Sequence, residues 1–398
     1  MSKIFKPQFF IKNRTQLLAH VKSDAIVIAA NSKILKTSDN TYQFKQEANF
    51  WYLTGINEPD LMLLLDAQGT YLIKPRMTSY QRIFEGDLND LKLAKTSGIK
   101  NILTYSEGQI LLKANLKDYK SIAILGESPN KLYVNIITQN SNKKLKIKIK
   151  KLNPKLQIEN LRPVLAELRM VKSPEELRAI KKAVSITKDS LNRLIESEIA
   201  NLHSTNQVDA WLDYNFRIQG ATSKAFDSVI VQGQKACTIH YPFKDQILNQ
   251  KELLLIDCGA EYDNYAADIS RTFALGKMSN RQKIVYQAVA RVQREVFKLV
   301  KPGLLLRDLE QEVVKLIGQE LLNLKLIPRI DERVIRHFYP HAFSHSMGLD
   351  VHDSANYRLP LAEGMVITVE PGIYIQNEGI AVRIEDDVLI TKDGIEIL

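Results

Sequence analysis

Apolar residues in the first half of the chain cluster in short runs. Ala25–Ala30 (AIVIAA), Leu61–Leu65 (LMLLL) and Ser121–Leu125 (SIAIL) are five or six residues long, the length of strands buried on both faces. Helix-compatible segments such as Tyr80–Asp90 lie between them, and NFWYLTGINEP closes on a turn signal at Asn57-Glu58-Pro59. This half therefore reads as alternating α and β. In KKLKIKIKK, Lys143–Lys151, lysine alternates with leucine or isoleucine, which predicts a strand with one basic face.

The pattern changes at KSPEELRAIKKAV. Ser173 can cap a helix, Pro174 suits its first position, and Glu176 completes a capping box. Leu177, Ile180, Val184, Leu191 and Leu194 then form a helical stripe. Two further helices are predicted, from about Ser279 to Lys301 before Pro302-Gly303, and from about Leu305 to Leu324. A domain boundary is expected here, with an N-terminal α/β domain over 1–165 and a second domain over 173–398.

Two acid-bearing hairpins stand out in the second domain. Glu252–Cys258 ends on Asp257-Cys258, turns near Gly259, and returns through Tyr265–Phe273 with Asp268. Over 100 residues later, Gly364–Ile390 repeats the plan, with Glu370 before Pro371-Gly372 and Glu385 on the return. Aspartate is a poor strand residue, and a buried carboxylate stays ionised only beside a compensating charge. Four inward-facing acids imply cations among them. Histidines point to the same place: of seven, four are His240, His341, His345 and His352, and three of those lie in HAFSHSMGLDVHD. Imidazole with several carboxylates makes an oxygen-rich site suited to Mn2+, Co2+ or Zn2+. Strand alternation turns Cys258 away from Asp257, so we read it as packing.

Charge and composition narrow the picture further. Residues 1–172 hold 28 Lys and Arg against 14 Asp and Glu, whereas residues 173–398 hold 27 against 31. A solvated lysine-rich surface is preferred to nucleic-acid binding, since the basic run lacks interleaved aromatics. With two cysteines there is no disulfide framework, and a reducing cytoplasm is expected. No apolar run approaches the ~18 residues of a membrane span, and MSKIFKPQFFIKNRTQ lacks the apolar stretch of a signal peptide.

Asp257, Asp268, His345, Glu370 and Glu385, in this order and spacing, resemble the metal ligands of metallopeptidase family M24. These are the pita-bread peptidases: methionine aminopeptidase, prolidase, aminopeptidase P and the metal-free creatinase. NSKILKTSDNTYQFKQEANFWYLTGINEP resembles the N-terminal domain of the aminopeptidase P branch, and HAFSHSMGLDVHD, VEPGIYI and RIEDDVLIT resemble its catalytic motifs. One departure is Ser346, where the family often has tryptophan.

The resemblance implies an α/β (α+β) chain. A creatinase-like, aminopeptidase P-type N-terminal domain would precede a pita-bread domain whose curved antiparallel sheet is backed by helices. It implies two divalent ions, Mn2+ first, bound by Asp257, Asp268, His345, Glu370 and Glu385, with Asp268 and Glu385 bridging. Glu370 would also be the general base toward a metal-bridging hydroxide nucleophile. His352 and His240 would contact substrate or the tetrahedral intermediate, and His341 and Arg383 would line the pocket for the second residue. The implied activity is a dinuclear aminopeptidase cutting the Xaa-Pro bond at peptide N-termini, in a homodimer or homotetramer. Prolidase, the same chemistry confined to dipeptides, is the nearest alternative. A non-catalytic binding protein on this fold is the other.

Overall fold

The computed structural model describes residues 4–126 and 141–398. The chain divides into two compact units, Met1–Leu168 and Arg169–Leu398.

The first unit is built on a six-stranded mixed sheet. Its strand order is Asn101–Thr104, Gly69–Lys74, Met62–Asp66, Ala25–Ala29, Ser121–Ile124, Gln157–Asn160. The three central apolar runs are the strands their composition predicts. Val27, Leu64, Ile122 and Ile124 pack on one face with Leu112, Leu116, Leu145 and Ile149. Ile26, Ile28, Leu63 and Leu65, of opposite parity, are buried as well. Both faces are therefore covered, as continuous apolar strands require.

Two local expectations fail in this unit. Tyr80–Asp90 is not one helix: Gly86, at φ 79°, ends Ser79–Glu85, and Asn89 caps a new helix, Asp90–Ser97. Lys143–Lys151 is not a strand but lies in the helix Ser141–Leu152. LKIKI contains an alternation and also an i,i+4 pair, and the pair wins: Leu145 and Ile149 are buried while Ile147 faces out. Lysine is also a better helix former than strand former.

The second unit packs helices Pro174–Arg193, Thr205–Ile218, Asn280–Leu299, Leu306–Asn323 and Glu332–Phe338 with antiparallel strands. The Ser173 capping box forms as its sequence predicts. A large apolar core joins Val285, Val289, Val292 and Val296 of one helix and Val313, Ile317 and Leu321 of another to Ile367, Val369, Val382 and Val388 of the strands.

The two hairpins share a more detailed plan than the sequence suggests. In the first, Leu253–Cys258 breaks at Gly259, continues as Ala260–Tyr262, turns, returns as Tyr265–Ala266, breaks at 267–268, and resumes as Ile269–Ala274. In the second, Val366–Val369 breaks at 370–371, continues as Gly372–Ile375, turns through Gln376–Glu378, returns as Ile380–Arg383, breaks at 384–385, and resumes as Asp386–Ile390. The tight turn of the first hairpin is thus at Asp263-Asn264, both with positive φ (49° and 69°), and not at Gly259. This is the two-residue turn whose twist matches paired strands. Gly259 has another task, because a Cβ there would lie 1.7 Å from the Ala267 carbonyl oxygen. It lets the two arms of the hairpin touch at the break.

Breaks in a ladder free backbone groups that must find partners. Gln293, from helix Asn280–Leu299, donates to the carbonyls of Val369 (3.4 Å) and Ile384 (3.2 Å), one at each break of the second hairpin. Glu385 N–H donates to Ser270 O across the hairpins at 3.0 Å. Arg271 ties Ser270 O and Glu385 O together and pairs with Asp386 at 2.5 Å.

Candidate active site

Asp268, Glu370 and Glu385 all sit at hairpin breaks, and Asp257 is two residues before the break at Gly259. Interrupting the ladder lets these side chains converge. Ligand-capable atoms of Asp268, His345 and Glu385 lie within 4.8 Å of one another. His345 Nε2 is 3.4 Å from Asp268 Oδ2 and 3.6 Å from Glu370 Oε1. His345 Nδ1 is 3.2 Å from its neighbour's carbonyl, Ser346 O. With its proton on Nδ1, the Nε2 lone pair faces the acids, the tautomer a metal ligand needs.

Asp257 joins the cluster through Arg383, whose Nη2 donates to Asp257 Oδ2 at 2.5 Å. The same guanidinium donates from Nε to Ser270 Oγ (2.7 Å) and from Nη1 to the Tyr374 hydroxyl (2.9 Å). Ser270 Oγ in turn donates a hydrogen bond to Glu385 Oε2 at 2.7 Å. The Tyr374 hydroxyl is 2.9 Å from His341 Nε2, and His341 Nδ1 is 2.8 Å from Ala342 O. The consistent assignment is that Tyr374 accepts from Arg383 and donates to His341. A chain of hydrogen bonds thus runs from Asp257 to His341, whose Nδ1 is 3.6 Å from Glu370 Oε2.

A second layer holds the acids in place. Thr368 Oγ1 accepts from His345 N–H (3.1 Å) and reaches Glu370 Oε1 (3.4 Å). Asp387 Oδ2 accepts the Asp268 N–H at 3.0 Å. Sequence reasoning missed Ser270, Thr368, Tyr374 and Asp387, yet a signal was present. Asp268, Ser270 and Thr272 recur at period two, as do Arg383, Glu385 and Asp387, and all six are 5 % exposed or less.

Electrostatics show what the cluster lacks. Burial first, and then neighbouring carboxylates, push Asp268, Glu370 and Asp387 well above the usual carboxylate range. Burial and Asp257 push Glu385 up to about 7. These groups repel one another's ionisation, as acids sharing a dry site must. Among the described residues, none donates a hydrogen bond to the buried Asp257 Oδ1 or Asp387 Oδ1. Unsatisfied carboxylate oxygens, a correctly presented imidazole and clustered acids fit divalent cations that take oxygen and nitrogen ligands. Cys258 is fully buried, and burial raises its thiol well above the ordinary value, so it adds no soft ligand.

His240, His341 and His352 lie around this cluster. The His352 ring stands edge-on to His345, with centroids 4.2 Å apart. His352 and His240 line a cavity of about 310 Å³ with Asp257, Asp268, Phe226 and Tyr241. Burial, and then the charges of its histidine neighbours, lower His352 to about 4. Burial and Arg383 lower His341 to about 3, so it is neutral. Arg383 is 3 % exposed and directs its bonds inward, to Asp257, Ser270 and Tyr374.

The loop carrying His345 and His352 is anchored by a buried ion cluster that sequence reading also missed. Arg169 and Lys172 both pair with Asp353, the lysine at 3.1 Å, and Arg169 also reaches Asp350 at 3.0 Å. Asp353 N–H donates to Ser346 O at 2.8 Å, closing the loop next to His345.

Comparison with known proteins places this arrangement. Residues 178–392 match metallopeptidase family M24, and residues 10–124 match the aminopeptidase P N-terminal domain. The whole chain is 30% identical to the Xaa-Pro aminopeptidase of Haemophilus influenzae over 95% of that protein. It is 29% identical to the Xaa-Pro aminopeptidase of Escherichia coli, again over 95% of it. Among solved structures, 99% of the chain superposes on 94% of the low-pH form of Escherichia coli aminopeptidase P, with a TM-score of 0.87 and 28% identity.

Proposed function

The chain belongs to metallopeptidase family M24, and from that premise we propose that it is a metal-dependent aminopeptidase that removes the first residue from peptides with proline second. The observation that carries this reading is the convergence of Asp268, His345 and Glu385 at the hairpin breaks, with Glu370 and Asp257 beside them. The N-terminal domain is taken as 1–165 and the catalytic domain as 173–398.

Asp257, Asp268, His345, Glu370 and Glu385 would hold two divalent ions, Mn2+ before Co2+ or Zn2+ for so oxygen-rich a set. Bound there, the ions supply a hydroxide nucleophile near neutral pH and positive charge for the developing oxyanion. Glu370 takes the proton from the attacking water on a carboxylate oxygen and later delivers it to the departing proline nitrogen. Ser270 and Thr368 fix the carboxylates of Glu385 and Glu370, so the acids meet the substrate in one geometry. His352 and His240, on the cavity wall, donate to the scissile carbonyl and to the tetrahedral intermediate.

Neutral His341 forms one wall of the pocket for the second residue, and Arg383 shapes it through Tyr374. A proline ring suits such a pocket: it is apolar and has no N–H to satisfy. A homodimer or homotetramer is the assembly proposed.

A panel of peptides separates this reading from prolidase. The Mn2+-loaded protein is expected to release the first residue from Xaa-Pro-Yaa-Zaa faster than from the dipeptide Xaa-Pro, and to spare Xaa-Ala-Yaa-Zaa. Hydrolysis of the dipeptide alone makes the protein a prolidase. No hydrolysis of any Xaa-Pro peptide leaves the binding-protein reading standing.

A further inference from the structure

The helix Ser141–Leu152 presents a surface to which the proposed reaction assigns no residue. SNKKLKIKIKKL places six lysines on twelve residues. Leu145 and Ile149 turn inward to the sheet. At about 100° per residue, the direction opposite that pair falls on Ile147, which is 50% exposed. Lys143, Lys146 and Lys150 lie on one side of Ile147, Lys144 and Lys151 on the other, and all five are exposed. The helix thus sets an isoleucine inside a collar of lysines, which a strand could not have done.

The neighbouring helix, Tyr105–Asn115, repeats the arrangement. It packs on the same face of the sheet through Leu112, and Asn153 Nδ2 donates to Leu116 O at 2.8 Å just beyond its end. Its outward side shows Ile110, 71% exposed, followed by Lys113 and Lys117. Between the helices lies an open groove lined by Lys113, Leu116, Lys117, Leu152 and Asn153. Among the described residues, none of Lys113, Lys117, Lys144, Lys146 and Lys151 is in an ion pair. The one carboxylate on these two helices, Glu107, is turned to its own helix cap at Thr104.

We propose that this face docks on an anionic lipid bilayer, with Ile110 and Ile147 entering the headgroup boundary and the lysines engaging lipid phosphates. Charge complementarity selects an anionic partner. Two features favour a bilayer over nucleic acid. The face contains no arginine, and its one aromatic, Tyr105, has its hydroxyl held by Lys148 at 2.9 Å, so stacking and bidentate recognition are absent. Two unpartnered isoleucines ringed by long cationic stems suit an interface that is apolar below and charged above.

Co-sedimentation of the full chain with vesicles tests this. The protein is expected to bind phosphatidylcholine vesicles containing a quarter phosphatidylglycerol, not pure phosphatidylcholine, and to lose binding as salt rises. A lysine near an anionic surface contributes roughly fivefold in partitioning, so combining Lys144→Glu, Lys146→Glu and Lys151→Glu should weaken binding by about a hundredfold or more. Combining Ile110→Gln with Ile147→Gln should weaken it about tenfold or more and leave the salt dependence intact. Thermal melting should be unchanged in both. Equal sedimentation with both vesicle types, or unchanged binding by the lysine variant, overturns the proposal. So does tighter binding to single-stranded RNA than to the anionic vesicles.

Discussion

Glu370→Gln is expected to reduce kcat by about a thousandfold or more while leaving the fold intact. Loss of a positioned general base alone costs about 10²–10⁴-fold, and in the proposed mechanism the same change weakens a metal ligand. Glutamine matches glutamate in shape, so the backbone bond from Glu370 N–H to Phe343 O (2.8 Å) and the approach of Thr368 Oγ1 survive. Stability should not fall, because burial and Glu385 already disfavour the Glu370 charge in the metal-free protein. Steady-state kinetics with a thermal melt checks both halves. Activity near that of the parent protein would remove Glu370 from the mechanism. A collapsed melting temperature would show that the loss is structural.

Asp353→Ala is expected to destabilise the second unit by about 3–5 kcal/mol, the cost of leaving buried charge unpaired. The side chains of Arg169, Lys172 and Asp353 are each 1% exposed, so water cannot replace the lost carboxylate. Although burial opposes it, Arg169 and Lys172 hold the Asp353 carboxyl below its usual range. A depressed carboxyl contributes stability above its unfolded pKa and loses it as pH falls through the folded value. The parent protein should therefore weaken in acid more than the variant does. Urea denaturation should show a lower midpoint at neutral pH with an unchanged slope. Adding Lys172→Met should recover part of the loss by removing one stranded cation. A midpoint equal to the parent's would mean that the cluster does not anchor the loop.

The gathering of these acids and His345 was legible because their residue types conflict with their surroundings. Acids ending apolar strands, twice in one chain, have few explanations besides a cation. The capping box at Ser173 was legible because capping depends on four neighbouring residues. Features that depend on distant pairing were not. Asp353 and its partners Arg169 and Lys172 are over 180 residues apart in the chain, and nothing local marks them as a cluster. Ser270, Thr368 and Tyr374 look like the ordinary polar face of a strand until the hairpins are brought together. Glycine is the stronger local turn signal, so Gly259 masked Asp263-Asn264, whose side chains also tolerate the positive φ of a tight turn. At Lys143–Lys151 two periods coexist, and only packing of Leu145 and Ile149 against the sheet decides between them.

The central claim is that the acids and His345 exist to hold catalytic cations. Stripping the protein with a chelator, then titrating Mn2+ while following release of the first residue from an Xaa-Pro-Yaa-Zaa peptide, tests it most directly. The account predicts no turnover after stripping and full recovery at two equivalents of Mn2+ per chain, with no recovery in Asp268→Ala. Full activity in the stripped protein, or recovery in Asp268→Ala equal to that of the parent, would contradict it.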